Sequence, residues 1–234
     1  MPLQPIDNRR LYRHIADQLM QMIGSGEYPP GSRLPAERDL AAQLGVSRPS
    51  VREALIALEV EGTVEVRGGA GVFVLHRRST PIDPPAPLPG PFDLIRARWV
   101  VESECANLAA THATPQQLAG MKRALEDMRG SASHNDVSLE ADQRFHMFIA
   151  EGSANSALLM LTRQLWDARR GPLYMQLESH FSGKEIWRQA VDEHAEILNA
   201  IASRDAPAAR NAMRRHMKNA ELRFASSWRS EESA

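Results

Sequence analysis

The chain has 234 residues, a formal net charge of −1 and 24% charged residues. That length accommodates two domains with separate cores, and the balanced charge excludes a protein that coats nucleic acid by bulk charge; specific binding through locally placed arginines stays open. A single cysteine, Cys105, excludes an intramolecular disulfide framework and fits a reducing cytoplasm; it lies in an apolar helical pattern and reads as an inert core thiol. There is no secretory leader and no apolar run of roughly 18 residues, so secretion and membrane spanning are not expected and the cytoplasm is.

Leu11, Ile15, Leu19 and Met22 recur at helical spacing and predict a first helix that stops near Gly24-Ser25-Gly26. Leu40, Ala41 and Leu44 share a face of a second, short helix, followed by a turn at Leu44-Gly45-Val46. Val51, Ala54, Leu55 and Leu58 fall at i, i+3, i+4 and i+7 and mark the buried stripe of a third helix. That stripe leaves Arg48, Pro49 and Arg52 outside, with Arg48 and Arg52 one turn apart and able to enter one groove. Ser47 is the expected N-cap, its hydroxyl accepting from a free backbone N–H. A helix N-terminus beside two arginines suits phosphates and guanine edges. Residues 63–66 and 72–74 read as strands bracketing a tip in which Gly68, Gly69 and Gly71 allow positive φ and close approach to DNA. Residues 1–75 are therefore predicted to form a winged helix-turn-helix.

The run Gly31-Ser32-Arg33-Leu34-Pro35-Ala36-Glu37-Arg38, then Gly45-Val46-Ser47-Arg48 and Val51-Arg52-Glu53-Ala54-Leu55, resembles the GntR family of bacterial transcription regulators across the whole head. The resemblance implies operator contacts by Arg38, Arg48 and Arg52. Ser47, Ser50, Gly69 and Gly71 complete the candidate DNA-binding set. The competing reading is a winged helix used only for protein contacts.

Residues 76–91 carry repeated proline and read as a semi-rigid linker, or as a proline-rich ligand for another domain. From residue 92 to about 230 every segment has helical period: 93–111, 115–129, 136–151, 155–179, 184–203 and 205–228. Pro115 and Pro207 sit near helix starts and Asn155 is an expected N-cap. The fold class is thus mainly α, with an all-α bundle of six or so helices following the winged head. This pattern resembles the helical FadR-type branch of the family.

Three helical stripes in the bundle carry polar groups among apolar ones. Asp142 and His146 sit beside Leu139 and Ile149; His194 lies in the stripe Val191, Leu198, Ile201; His216 lies with Met213, Met217 and Phe224. Buried and unpaired, each would cost on the order of 2–7 kcal/mol. Asp142 and His146 at i, i+4 suit two ligands of one ion, and two facing imidazoles complete an O,N,N,N set suited to zinc, nickel or another first-row divalent metal. The alternative is a metal-free core of hydrogen-bonded histidines. The four positions match, one by one, the metal ligands that the family's FCD-type effector domain implies. His14, His76, His112 and His134 fit exposed or loop positions, and His180 could sit near a pocket mouth.

Arg98, one turn before Glu102, offers either a fork for an effector carboxylate or a salt bridge to Glu102, and the two can coexist. Trp166, Arg169 and Arg170 could add sugar-facing groups; Asn155 joins Arg98, Glu102, Trp166 and Arg169 in the candidate effector set. A narrower resemblance spans both domains: Gly90-Pro91-Phe92-Asp93-Leu94, Ala97-Arg98, Glu102-Ser103 and Asn155-Ser156-Ala157-Leu158 look like the hexuronate-utilisation repressors. The expectation is a homodimeric repressor of a palindromic operator in double-stranded DNA, controlled by a small organic acid at the metal. Two rivals remain: a metal-dependent hydrolase or isomerase on a DNA-binding head, and a regulator whose metal is purely structural.

Overall fold

The computed structural model describes residues 11–75, 89–130, 136–181 and 183–226. The described residues divide into two compact units, one formed by those up to Pro91 with Gly171–His180, the other by those within Phe92–Arg170 and Phe181–Ser226.

In the first unit, α1 (Leu11–Gly24), α2 (Glu37–Leu44) and α3 (Arg48–Val60) precede the hairpin of β1 (Val64–Arg67) and β2 (Gly71–Val74). Ile15 and Leu19, Leu40, the stripe Val51, Ala54, Leu55 and Leu58, and Val64, Val72 and Val74 share one core. Leu11 does not join it and is exposed. Gly45, at φ 64°, ends α2 in the left-handed conformation, where its N–H bonds the Ala41 carbonyl. Ser47 then caps α3, accepting from the Ser50 N–H at 3.3 Å. The strands pair antiparallel with Val64 opposite Val74 and Arg67 opposite Gly71. Thr63 therefore lies outside β1, and Arg67 belongs to the strand rather than to the tip. Gly69 and Gly71 have positive φ, whereas Gly68 does not. Residues 31–34 run beside β2, with Leu34 N–H donating to the Val72 carbonyl at 2.8 Å. This is the winged helix-turn-helix expected.

The placement of Arg52 differs from expectation. It is 1% exposed, not outside the stripe. Its Nη2 lies 2.6 Å from Glu37 Oε2 and its Nε donates to the same oxygen at 2.8 Å. Glu37, itself buried, also accepts from Arg48 Nε at 3.0 Å. A helical stripe specifies the face toward one neighbour only. Here α2 covers a second face, and one carboxylate at its first turn fastens both arginines of α3.

In the second unit, α4 (Pro91–His112), α5 (Pro115–Gly130), α6 (Asp136–Gly152), α7 (Ser156–Ala168), α9 (Lys184–Ala202) and α10 (Ala206–Ser226) form the bundle. Helices α5 and α6, α5 and α9, α6 and α7, and α9 and α10 are packed neighbours. Small residues on α4, including Ala106, Ala109 and Ala110, join the buried cluster. Gly120 belongs to the same close packing, since a Cβ there would meet the Phe148 ring at 2.6 Å. Burial pushes the Cys105 thiol up to about 12, as suits an unreactive core residue. Among the described residues no helix is long and apolar enough to cross a membrane.

Three boundaries shift. Helix α4 begins at Pro91, so the linker ends earlier than residue 91; residues 76–88, like His76, His134 and 227–230, lie outside the described ones. The segment 155–179 is two helices, α7 and α8 (Pro172–Ser179), because Pro172 disfavours helical backbone at Gly171, which is extended at φ −65° and ψ 146°. And α8 belongs by contact to the first unit, so 92–230 is not one compact body. His14 and His112 are exposed, as expected.

The Glu37–Arg52 pair yields a stability test. Removing one partner of a buried ion pair strands the other, so Arg52→Ala should lower unfolding free energy by about 3 kcal/mol or more in urea titrations. A loss under about 1 kcal/mol would place Arg52 at the surface.

Candidate functional site

The candidate DNA-binding residues cluster at the start of α3 and at the wing. The Arg38 side chain is 83% exposed and reaches its neighbour Asp39 at 3.1 Å. Ser47 and Ser50 are bonded to each other, Oγ to Oγ at 2.8 Å, so both hydroxyls serve the cap. Arg48 keeps 37% of its side chain exposed while Glu37 holds its Nε, which orients the guanidinium without burying it. Arg52 spends its charge on Glu37 and acts as a positioning residue for Arg48. Gly69 is exposed at the wing tip; Gly71 lies beneath the Arg33 side chain, whose Nε would stand 2.5 Å from an added Cβ.

The second site lies inside the bundle. Asp142 and His146 project from α6, His194 from α9 and His216 from α10, and all four are buried. One ring nitrogen from each histidine lies within 4.8 Å of those of the other two. His146 Nε2 is 3.1 Å from His194 Nε2, and Asp142 Oδ1 is 2.9 Å from the latter and 3.3 Å from the former.

The outer nitrogens decide what these contacts are. His194 Nδ1 lies 2.6 Å from the Ala190 carbonyl, which can only accept. His216 Nδ1 lies 2.7 Å from Glu193 Oε2, and His146 Nδ1 abuts the Glu102 carboxylate. In neutral His194 and His216 the Nδ1 therefore carries the proton outward and Nε2 presents its lone pair inward, whereas His146 Nδ1 stands against Glu102 without a well-aligned hydrogen bond. Asp142 Oδ1 is buried and receives no hydrogen bond. Ring nitrogens of the three histidines and this carboxylate oxygen converge at one point. Tetrahedral ligands at about 2.0–2.1 Å stand about 3.3–3.4 Å apart; the spacings of 2.9, 3.1 and 3.3 Å are equal to that or slightly shorter.

The electrostatics divide the rings. Burial and the neighbouring His194 charge push His216 down to about 3, which favours its neutral form. Burial acts against the charged form of His146, but Glu102 and Asp142 outweigh it and hold its pKa above the usual value, so a cation at Nε2 would have to displace a proton there. Burial acts to raise Asp142, and His146 and His194 outweigh it, keeping the carboxyl well below its ordinary range.

Around this core stands a charged shell. Glu102 accepts from Arg98 Nε at 2.7 Å and from Trp166 Nε1 at 3.1 Å. Arg98 and Arg169 both lie over the Trp166 ring, 4.2 and 4.3 Å from its centroid, and Arg169 Nη1 donates to Asp142 Oδ2 at 3.3 Å. The Arg98–Glu102 salt bridge is thus present. Asn155 is not part of this site: it is exposed, and its Oδ1 caps α7 by accepting from Ala157 and Leu158 N–H at 3.0 and 3.2 Å. It stands eleven residues before Trp166, about 16 Å along the helix. Arg170 points to Gln143, at 3.0 Å, on the exposed side. Two residues that sequence reasoning passed over have structural roles. One is Glu37. The other is Glu193, which orients His216 and is itself held by Asn219 and Arg223, each at 2.8 Å. Its adjacency to His194 was the available signal.

Comparison with known proteins identifies both domains. Residues 11–74 match the model of bacterial regulatory proteins of the gntR family, and 93–219 match the FCD domain. The Uxu operon transcriptional regulator of Escherichia coli (strain K12) is 39% identical over 224 residues, covering 92% of this chain and 87% of that protein. The Exu regulon transcriptional regulator of the same strain is 37% identical over 222 residues, covering 92% and 84%. The solved structure of E. coli McbR/YncC shares the fold at a TM-score of 0.51 and 24% identity, covering 93% of this chain and 98% of that one. These relatives are regulators, which sets aside the reading of a metal hydrolase on a DNA-binding head. The chain belongs to the gntR family of bacterial transcription regulators, in the branch that carries a helical FCD domain.

Proposed function

We propose that this regulator is a repressor that binds a palindromic operator as a homodimer and responds to a hexuronate or related sugar acid at a divalent metal held by Asp142, His146, His194 and His216. The observation that carries the metal is the convergence of one ring nitrogen from each of three buried histidines on a buried carboxylate oxygen that lacks a well-aligned hydrogen bond. Zinc or nickel suits that donor set.

An anionic effector follows from charge. Among the buried groups Arg98 balances Glu102 and Arg169 balances Asp142. A divalent cation adds two positive charges with no counter-charge, and a carboxylate is the group that would restore balance. Arg98 and Arg169, on either side of the Trp166 contact, are the forks for it. The choice of a hexuronate rests on likeness to the Uxu operon and Exu regulon regulators across both domains. Dimerisation is inferred because one head spans few base pairs and a two-fold pair doubles the contacts on a palindrome.

On the DNA side, Arg48→Ala should weaken operator binding by about 1–3 kcal/mol and relax preference at one symmetric pair of positions, read by competition binding with point-substituted operators. Unchanged affinity and preference would remove Arg48 from the interface.

On the metal side, purified protein loaded with zinc should retain about one ion per chain by elemental analysis. His194→Ala should lose it and melt earlier, while Glu193→Gln should weaken it about 10–100-fold against a chelator. Protein that takes up neither zinc nor nickel would defeat the metal. D-glucuronate or D-galacturonate should release the zinc-loaded protein from its operator, and Arg98→Ala should keep DNA binding and lose that release. A metal that binds without any sugar acid altering operator affinity would make it purely structural.

A further inference from the structure

Helix α8 is encoded between two helices of the bundle, yet Gly171–His180 belong by contact to the DNA-binding head. It packs against α3 with Tyr174 and Leu177 as its buried residues. This explains a feature of α3 that the head alone does not. Eight consecutive residues of that helix, from Val51 to Leu58, are buried, but only Val51, Ala54, Leu55 and Leu58 belong to the head's own core. Arg52, Glu53, Ile56 and Ala57 lie on other faces, and those faces are covered by α2, by α8 and, at Glu53, by Gly90.

The tie between α8 and α3 is polar as well as apolar. Glu59, near the end of α3, accepts from the Val66 N–H of β1 at 2.8 Å through Oε1, and its Oε2 lies 2.6 Å from His180 Nε2. Gln176, one turn back on α8, reaches the same imidazole at 3.4 Å. Burial acts to raise the Glu59 carboxyl; the His180 hydrogen bond, helped by Val66, outweighs it and holds the pKa low. His180 thus has a partner in Glu59. One carboxylate joins the recognition helix, the wing and α8.

The other end of α8 starts close, along the chain, to the imidazole cluster. Gly171 caps it, and two residues earlier Arg169 bonds Asp142 and stacks on Trp166. We propose that α8 is the transmission element of the protein: it carries displacements at Arg169 to the recognition helix and wing through Glu59 and His180. Its input side rests on the effector reading given above; its output side does not.

The test separates the two. Operator fragments are selected from random-sequence DNA, and affinities of the full chain are measured after EDTA treatment. His180→Ala and Glu59→Gln should each change the dissociation constant by about threefold or more. The double variant should change it no further, since residues sharing one interaction are non-additive. Glu59→Gln keeps an acceptor for Val66, and melting curves check that both variants fold. Effects under about twofold, or additive ones, overturn the proposal. With zinc and D-glucuronate or D-galacturonate added, His180→Ala should lose the wild-type response while retaining zinc. A wild type that responds beside a His180→Ala that responds equally also overturns it. A wild type that ignores both sugar acids fails the effector reading instead, and the mutant cycle then decides on α8 alone.

Discussion

The interior of the bundle is organised around three imidazoles and a carboxylate that meet at one point. His194 and His216 each bind a fixed acceptor through Nδ1, and His146 Nδ1 stands against the Glu102 carboxylate. All three rings are buried at a few per cent exposure, and Asp142 brings a carboxylate oxygen to the same point. Such a donor set suits a cation. The geometry of the surrounding shell follows: Glu102 and Glu193 orient two of the rings, and Arg98, Arg169 and Arg223 hold the carboxylates in turn. What looks like an excess of buried ionic groups is a set of paired charges arranged around the imidazole cluster.

The same logic governs the head on a smaller scale. Glu37 is a buried anion whose two arginine partners lie on the next helix. One of them, Arg52, is consumed in the interior; the other, Arg48, is fixed at its root and exposed at its tip. The carboxylate restrains this arginine without burying it. If Arg48 meets DNA as proposed, restraint before binding lowers the ordering cost that a free arginine would carry.

Periodicity made most of this legible. The winged helix-turn-helix, the helix ends at Pro115 and residue 184, and the four polar residues in apolar stripes were all readable because each depends on a helix facing one neighbour. The failures share a cause. Arg52 seemed exposed because its stripe describes the core face, while α2 covers another. Residues 155–179 read as one helix because apolar residues continue through them, and the break rests on the single Gly171-Pro172 step. The place of α8 beside α3 was invisible, since no local pattern reveals that a segment packs outside its own domain. Asn155 was correctly seen as a cap, and that role leaves it no part in the effector site. Glu37 and Glu193 stood in plain view within quoted motifs, but a carboxylate's partner lies elsewhere in the chain and spacing does not name it.

X-ray absorption at the zinc edge of the loaded protein reads the central cluster directly. The account predicts a first shell of three imidazole nitrogens and at least one oxygen at about 2.0–2.1 Å. A shell of oxygens without imidazole scattering would contradict it, because the three converging ring nitrogens would then have some other explanation.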